Sequence, residues 1–163
     1  ARKPEILRAF RALFATVMRA PSDIEEELKW LLAHAVSSSA GCLYCQAHTA
    51  ANGNKTGLDP RKVEALAAFE SSALFSSKER AVIAFGFSAG EVPNAVSAEH
   101  FDALREHFND DQIIELVGVI SVFGWLNRWN DTLASDLEDS PLAFAEAHLT
   151  PRGWTADKHR TDG

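Results

Sequence analysis

Sulfur is scarce in this chain: 163 residues hold two cysteines and one methionine. Two cysteines cannot build the dense disulfide framework of a small secreted domain, and a chain of this length buries a core without one. Strand pattern is scarce too. No apolar-polar alternation persists beyond a few positions, which argues against a sheet. No run of Lys and Arg interrupts an acidic balance of 23 Asp and Glu against 16 Lys and Arg. The net charge of −7 repels phosphate backbones and excludes nucleic acid as a natural partner. Long apolar runs are missing as well: residues 113–126, the longest mainly apolar stretch, are too short for a bilayer and carry Glu115. No leader pattern is read at the amino terminus, which starts on Ala1, and no membrane partner is expected.

What is present is apolar bulk at helical spacing. Apolar residues make up 46% of the chain, including ten Phe and four Trp, which excludes a disordered protein. Ile6, Phe10, Leu13, Phe14 and Val17 share one helix face after Pro4, and Pro21 stops that helix. Ser22 with Glu25 reads as a capping box for a second helix over about residues 23–38. A third starts near Cys42 and ends around Asn52-Gly53-Asn54. Asp59-Pro60, Ser76 with Glu79, and Ser97 open the next three. Asn109 with Gln112 opens a seventh, running to about Asp136, which is nearly apolar all round and is expected to be central and buried. A short helix over residues 141–148 follows. These signals predict one all-α domain over residues 1–163, about seven or eight helices, with residues 150–163 a polar tail anchored at most by Trp154.

The chemistry concentrates in Cys42-Leu43-Tyr44-Cys45-Gln46-Ala47-His48. Thiols at i and i+3 of a helix start lie on one face, near enough to close a disulfide. Cys42 sits where unpaired N–H groups and the helix dipole favour an anion, which makes it the more acidic thiol. His48 follows on the same face and can take or return a thiol proton. A thiol redox pair in a reducing cytoplasm is the reading this spacing favours. Two alternatives stay open. The cysteines could simply fill a helical core, or the pair with His48 could bind zinc, His34 or a carboxylate then completing the set.

At these residues the chain resembles the alkylhydroperoxidase AhpD-like, peroxidase-related branch of the carboxymuconolactone decarboxylase superfamily. The resemblance rests on Ala35-Val36-Ser37, on Gly41-Cys42-Leu43-Tyr44-Cys45-Gln46-Ala47-His48-Thr49, on residues 76–81 and on residues 123–130. It implies an AhpD-like helical bundle that assembles as a homo-oligomer, a trimer or hexamer. It also implies a hydroperoxide reductase or thiol-disulfide oxidoreductase that uses no cofactor and no metal. The partners would be a small hydroperoxide or disulfide substrate and an external thiol reductant. By the family order Cys45 attacks and Cys42 resolves, the reverse of what the helix dipole alone favours. A lactone-decarboxylase-type enzyme and a non-catalytic oligomeric helical protein are the competing readings.

The chain departs from the family pattern at two positions. The family's relay Glu, twelve residues before the first cysteine, is Trp30 here, and the relay His four residues after the second is Thr49, with His48 one place earlier. Glu26, Glu27 and His34 lie on the helix face of Trp30, and His34 is taken as the best-placed substitute. Glu79 is expected to cap its helix. Asn127, Arg128 and Asn130, polar groups in an apolar helix, are expected to bond across the bundle or to face the thiols.

Overall fold

The computed structural model describes residues 2–160. It is all-helical, with no strand among the described residues: α1 (Pro4–Arg19), α2 (Glu26–Ser39), α3 (Leu43–Thr56), α4 (Pro60–Glu64), α5 (Ser77–Gly90), α6 (Ala98–Arg105), α7 (Asp110–Leu133) and α8 (Asp139–His148). None of these helices is long and apolar enough to cross a membrane. The capping boxes at Ser76/Glu79 and Asn109/Gln112 form as their spacing predicts. The box expected at Ser22/Glu25 does not. Glu25 reaches Lys78 and Ser22 reaches Glu115, so long-range partners outcompete the local cap and α2 starts later, at Glu26.

The buried centre is α2 rather than α7. Every residue from Leu28 to Ser37 is buried, with α3, α5 and α7 packed around it. Leu31 and Leu32 are fully enclosed, each worth about 2 kcal/mol of apolar burial. Gly86 lets α5 come close, because a Cβ there would lie 2.8 Å from the Leu32 side chain. The long helix α7 buries Ile113, Leu116, Val119, Val122 and Phe123 on one side but leaves Ile114, Trp125, Trp129 and Leu133 exposed. Its apolar circumference therefore reflects two faces, one turned to the core and one uncovered.

Helix α1 lies along α7 and buries only Met18 fully. Its attachment is aromatic: Phe10 stacks on Trp125 at 4.2 Å, and Phe14 meets Phe123 edge-on. Lys29, buried on α2, ties this corner by donating to the Val17 carbonyl (3.0 Å) and pairing with Glu115 (3.3 Å). Helix α3 runs past the expected stop at Asn52–Asn54 to Thr56, where Gly57 takes the left-handed conformation (φ 112°) that ends it.

The segment expected as a polar tail anchored at most by Trp154 is held at more than that one point as far as residue 160; residues 161–163 lie outside the described part. Trp154 is buried and donates its indole N–H to the Leu43 carbonyl (3.1 Å). His159 has no exposed surface and bonds to the Ser135 carbonyl at 2.8 Å. The carboxy-terminal residues thus brace the start of α3, where the cysteines lie.

Candidate active site

Two helices and a tight turn place the thiols. The Cys42 N–H bonds back to the Ser37 carbonyl in the last turn of α2, and Gly41 supplies the left-handed residue between (φ 70°). Cys42 is then the N-cap of α3. Its sulfur accepts the Cys45 backbone N–H at 3.3 Å, in the role usually taken by a Ser or Asp oxygen. Both thiols are free and both are buried, Cys42 at 1% and Cys45 at 3% exposure.

The two thiols are tied to each other by a hydrogen bond. The Cys45 thiol donates to the Cys42 sulfur, which holds the Cys42 pKa below its usual value, aided by the Cys45 backbone N–H and opposed by burial. The same hydrogen bond keeps the proton on Cys45 and, with burial, pushes its pKa up. At rest the charge therefore favours Cys42, as the helix start predicts. Only Cys45, however, lines the neighbouring cavity of about 300 Å³. Aromatic rings make most of its wall: Phe10 and Phe14 from α1, Trp30 from α2, Tyr44 from α3 and Phe123 from α7. His48, Asn52 and Asn130 supply the polar spots.

His48 is on the cavity face, as its spacing from Cys45 predicts, and its partner comes from far away in the chain. Its Nε2 bonds to a Glu138 carboxylate oxygen at 2.8 Å, and the Tyr44 ring stacks on its imidazole at 4.3 Å. Tyr44 donates its hydroxyl to the same carboxylate at 3.4 Å. Burial lowers the His48 pKa while Glu138 works against the shift, so the ring is neutral and able to take a proton at pH 7. Glu138 precedes α8 and lies 90 residues from His48; no local pattern marks it. Asn130 of α7 also faces the thiols, its Nδ2 donating to the Cys45 sulfur at 3.7 Å.

His34 occupies the opposite side of α3. Its Nδ1 meets the Thr49 hydroxyl at 2.9 Å, and that hydroxyl donates to the Cys45 carbonyl at 2.7 Å. The hydroxyl proton goes to the carbonyl, so His34 carries its own proton on Nδ1. Full burial pushes its pKa down to about 4. His34 therefore braces the backbone of Cys45, and no hydrogen bond joins it to either sulfur. It lines a second cavity, of about 280 Å³, with Leu43, Gln46 and Trp154. Glu26 accepts the Trp30 indole N–H at 3.4 Å, and Glu27 lies against Gly57. The carboxylate bonded to His48 is thus Glu138, while Trp30 became cavity wall.

Other polar expectations resolve simply. Glu79 caps α5 and pairs with Lys62. Arg80 donates to the Phe69 and Ser72 carbonyls. Asn127, against expectation, neither bonds across the bundle nor lines the Cys45 cavity: it is buried in α7 with no partner for its amide. Among the described residues no three His, Cys, Asp or Glu side chains are grouped to hold a metal ion.

Comparison with known proteins gives the family and relatives of the fold. Residues 4–86 match the carboxymuconolactone decarboxylase family. The debrominase Bmp8 has a solved structure that superposes with a TM-score of 0.83 at 35% identity, over 89% of this chain and 77% of that one. A cysteine-to-alanine variant of Bmp8 is solved in complex with 2,3,4-tribromopyrrole, at 34% identity and the same TM-score of 0.83, over 90% of this chain and 78% of that one. A peroxidase-related protein with an alkylhydroperoxidase AhpD core, from Ralstonia eutropha JMP134, shares the fold: TM-score 0.77 and 24% identity over 88% of this chain and 75% of that one. The uncharacterized protein YdfG of Bacillus subtilis (strain 168) is 26% identical over 110 residues, 67% of this chain and 73% of its own length.

Proposed function

We propose that this chain, which belongs to the carboxymuconolactone decarboxylase family, is a dithiol reductase of the AhpD-like kind acting on an apolar electrophile, a hydroperoxide in the first instance. The carrying observation is that Cys45 faces an aromatic cavity while its own thiol is hydrogen-bonded to Cys42. An electrophile held among Phe14, Trp30 and Phe123 meets the Cys45 sulfur, with His48 at the same wall.

In the first step the Cys45 thiolate attacks the terminal oxygen of a hydroperoxide. The O–O bond breaks, Cys45 becomes a sulfenic acid, and the departing alkoxide takes a proton from protonated His48. That proton is the one Cys45 gave up, so His48 ends neutral. Glu138 holds the imidazole and stabilises its charged form in between. In the second step the Cys42 thiol attacks the sulfenic sulfur, its proton leaves with the sulfenic hydroxyl as water, and a Cys42–Cys45 disulfide remains. An external dithiol then exchanges with it and restores both thiols. Disulfide exchange with another substrate would use the same last step.

The similarity to a debrominase, together with a cavity whose walls suit a flat ring, favours a second reading on the same residues. A brominated aromatic would exchange C–Br for C–H while the two thiols become the disulfide and bromide and a proton leave. Both readings place the oxidised equivalents on Cys42 and Cys45. A coupled assay with cumene hydroperoxide and dithiothreitol, run beside bromide release from a brominated pyrrole, separates them. Replacing Cys45 by Ser abolishes both activities; unchanged turnover in that variant contradicts the proposal.

The uncovered face of α1 and α7, with Ile6, Leu13, Trp125 and Trp129 exposed, is where we place a homo-oligomer contact. Light scattering of the wild type beside a Leu13→Glu, Trp129→Glu variant tests it, the variant being expected to dissociate. Free buried thiols and an external thiol reductant suit a reducing cytoplasm.

A further inference from the structure

The hydrogen bond between the thiols makes Cys42 the more acidic of the two, yet the sulfur that meets the cavity is Cys45. That sulfur has to carry the charge when the substrate is attacked. We propose that Asn130 is a catalytic residue of this site: its amide N–H stabilises negative charge on the Cys45 sulfur, where the substrate is met. The inference rests on the dithiol reading given above and adds to it the group that decides which sulfur attacks.

The geometry is specific to one sulfur. Asn130 Nδ2 donates to Cys45 at 3.7 Å, and Asn130 has no hydrogen bond to Cys42. Its orientation is fixed from behind, because the Ser135 hydroxyl donates to Asn130 Oδ1 at 3.0 Å, which leaves the nitrogen end facing the sulfur. Ser135 is held in turn: its N–H bonds to the Asn130 carbonyl (3.1 Å) and its carbonyl bonds to Nδ1 of the fully buried His159 (2.8 Å). His159 is thus a positioning residue, acting on the thiol through Ser135 and Asn130. His48 takes the Cys45 proton, as in the first step above, and the Asn130 N–H meets the charge left on the Cys45 sulfur. The same donor supports Cys45 as the leaving sulfur when a reductant attacks the disulfide at Cys42.

The other titratable groups around the pair do not do this. Tyr44 and His48 engage Glu138. Asp131 raises both thiols and Lys158 lowers Cys42, so neither favours charge on Cys45. Asn130 is the side chain that lowers Cys45.

The test reads the thiol directly. In the Cys42→Ser background, the pH midpoint of Cys45 alkylation by iodoacetamide should rise by about one unit on Asn130→Ala, with the rate at pH 7 falling about tenfold. Asn130→Asp, similar in shape but without the donor, should raise the midpoint at least as far. In the wild-type pair, limited alkylation read by peptide mass should favour Cys45 over Cys42, and Asn130→Ala should lower that ratio about tenfold. His159→Phe should shift the midpoint the same way, and His159→Asn, which keeps a donor at the Nδ1 place, should restore it. A midpoint and a labelling ratio unmoved by both Asn130 variants would overturn the proposal. A midpoint that moves in a protein reducing neither hydroperoxide nor aryl bromide upholds the role of Asn130 and sinks the proposed reaction instead.

Discussion

The first half of the chain carries the thiols, and the last quarter carries the polar groups around them. Cys42, Cys45 and His48 lie within one helix start inside the stretch that matches the family, residues 4–86. Asn130, Asp131, Glu138, Lys158 and His159 come from the end of α7 and everything after it. The two regions meet with different chemistry. The first presents two buried thiols, one of them beside an aromatic cavity; the second supplies Asn130 to the Cys45 sulfur and Glu138 to His48.

The sharpest way to break this division is to remove its nucleophile. Cys45→Ser should leave no measurable turnover, while Cys42→Ser should still react once and stop at a sulfenic acid. Next comes the link between the regions. His48→Gln should lower kcat/KM by about 100-fold, in the range of a lost general acid–base group, and Glu138→Gln by about tenfold because the imidazole remains but loses its orientation. If Glu138→Gln were silent, the last quarter would be structural only at this point. Trp30→Glu restores the family's acidic residue at the cost of cavity wall. It should destabilise the fold by about 3 kcal/mol, read by denaturant midpoint, and raise KM for an aromatic hydroperoxide more than for hydrogen peroxide.

A smaller effect belongs wholly to the first region. His34 titrates at about 4 when folded against 6.5 in the open chain, because burial disfavours its cation. The unfolded state therefore binds the proton first. The stability His34 contributes is complete above pH 6.5 and declines as pH falls towards 4, by roughly 3 kcal/mol at pH 4. Melts between pH 7 and pH 4 should show that slope, and His34→Gln should flatten it.

What the sequence made legible follows the same line. Boxes at Ser76/Glu79 and Asn109/Gln112 are local three-residue contacts, and they stand. The pair with His48 on one helix face was legible for the same reason. Glu25 was misread because Lys78, 53 residues away, takes its carboxylate. Glu138 was invisible because 90 residues separate it from His48, and only the return of the chain past α7 closes that distance. His159 was read into a polar tail because one buried histidine leaves no periodic trace. Helix α7 was judged central on its all-round apolarity, whereas a face bare in one copy looks the same in sequence as a face in the core.

The central claim is that Cys45 meets the electrophile and Cys42 closes the disulfide. One equivalent of cumene hydroperoxide, given to each single cysteine variant in the presence of dimedone and read by intact mass, tests it most directly. The account predicts one dimedone adduct on Cys45 in Cys42→Ser and none in Cys45→Ser. An adduct on Cys42 in Cys45→Ser, with Cys45 unlabelled in the other variant, would contradict it.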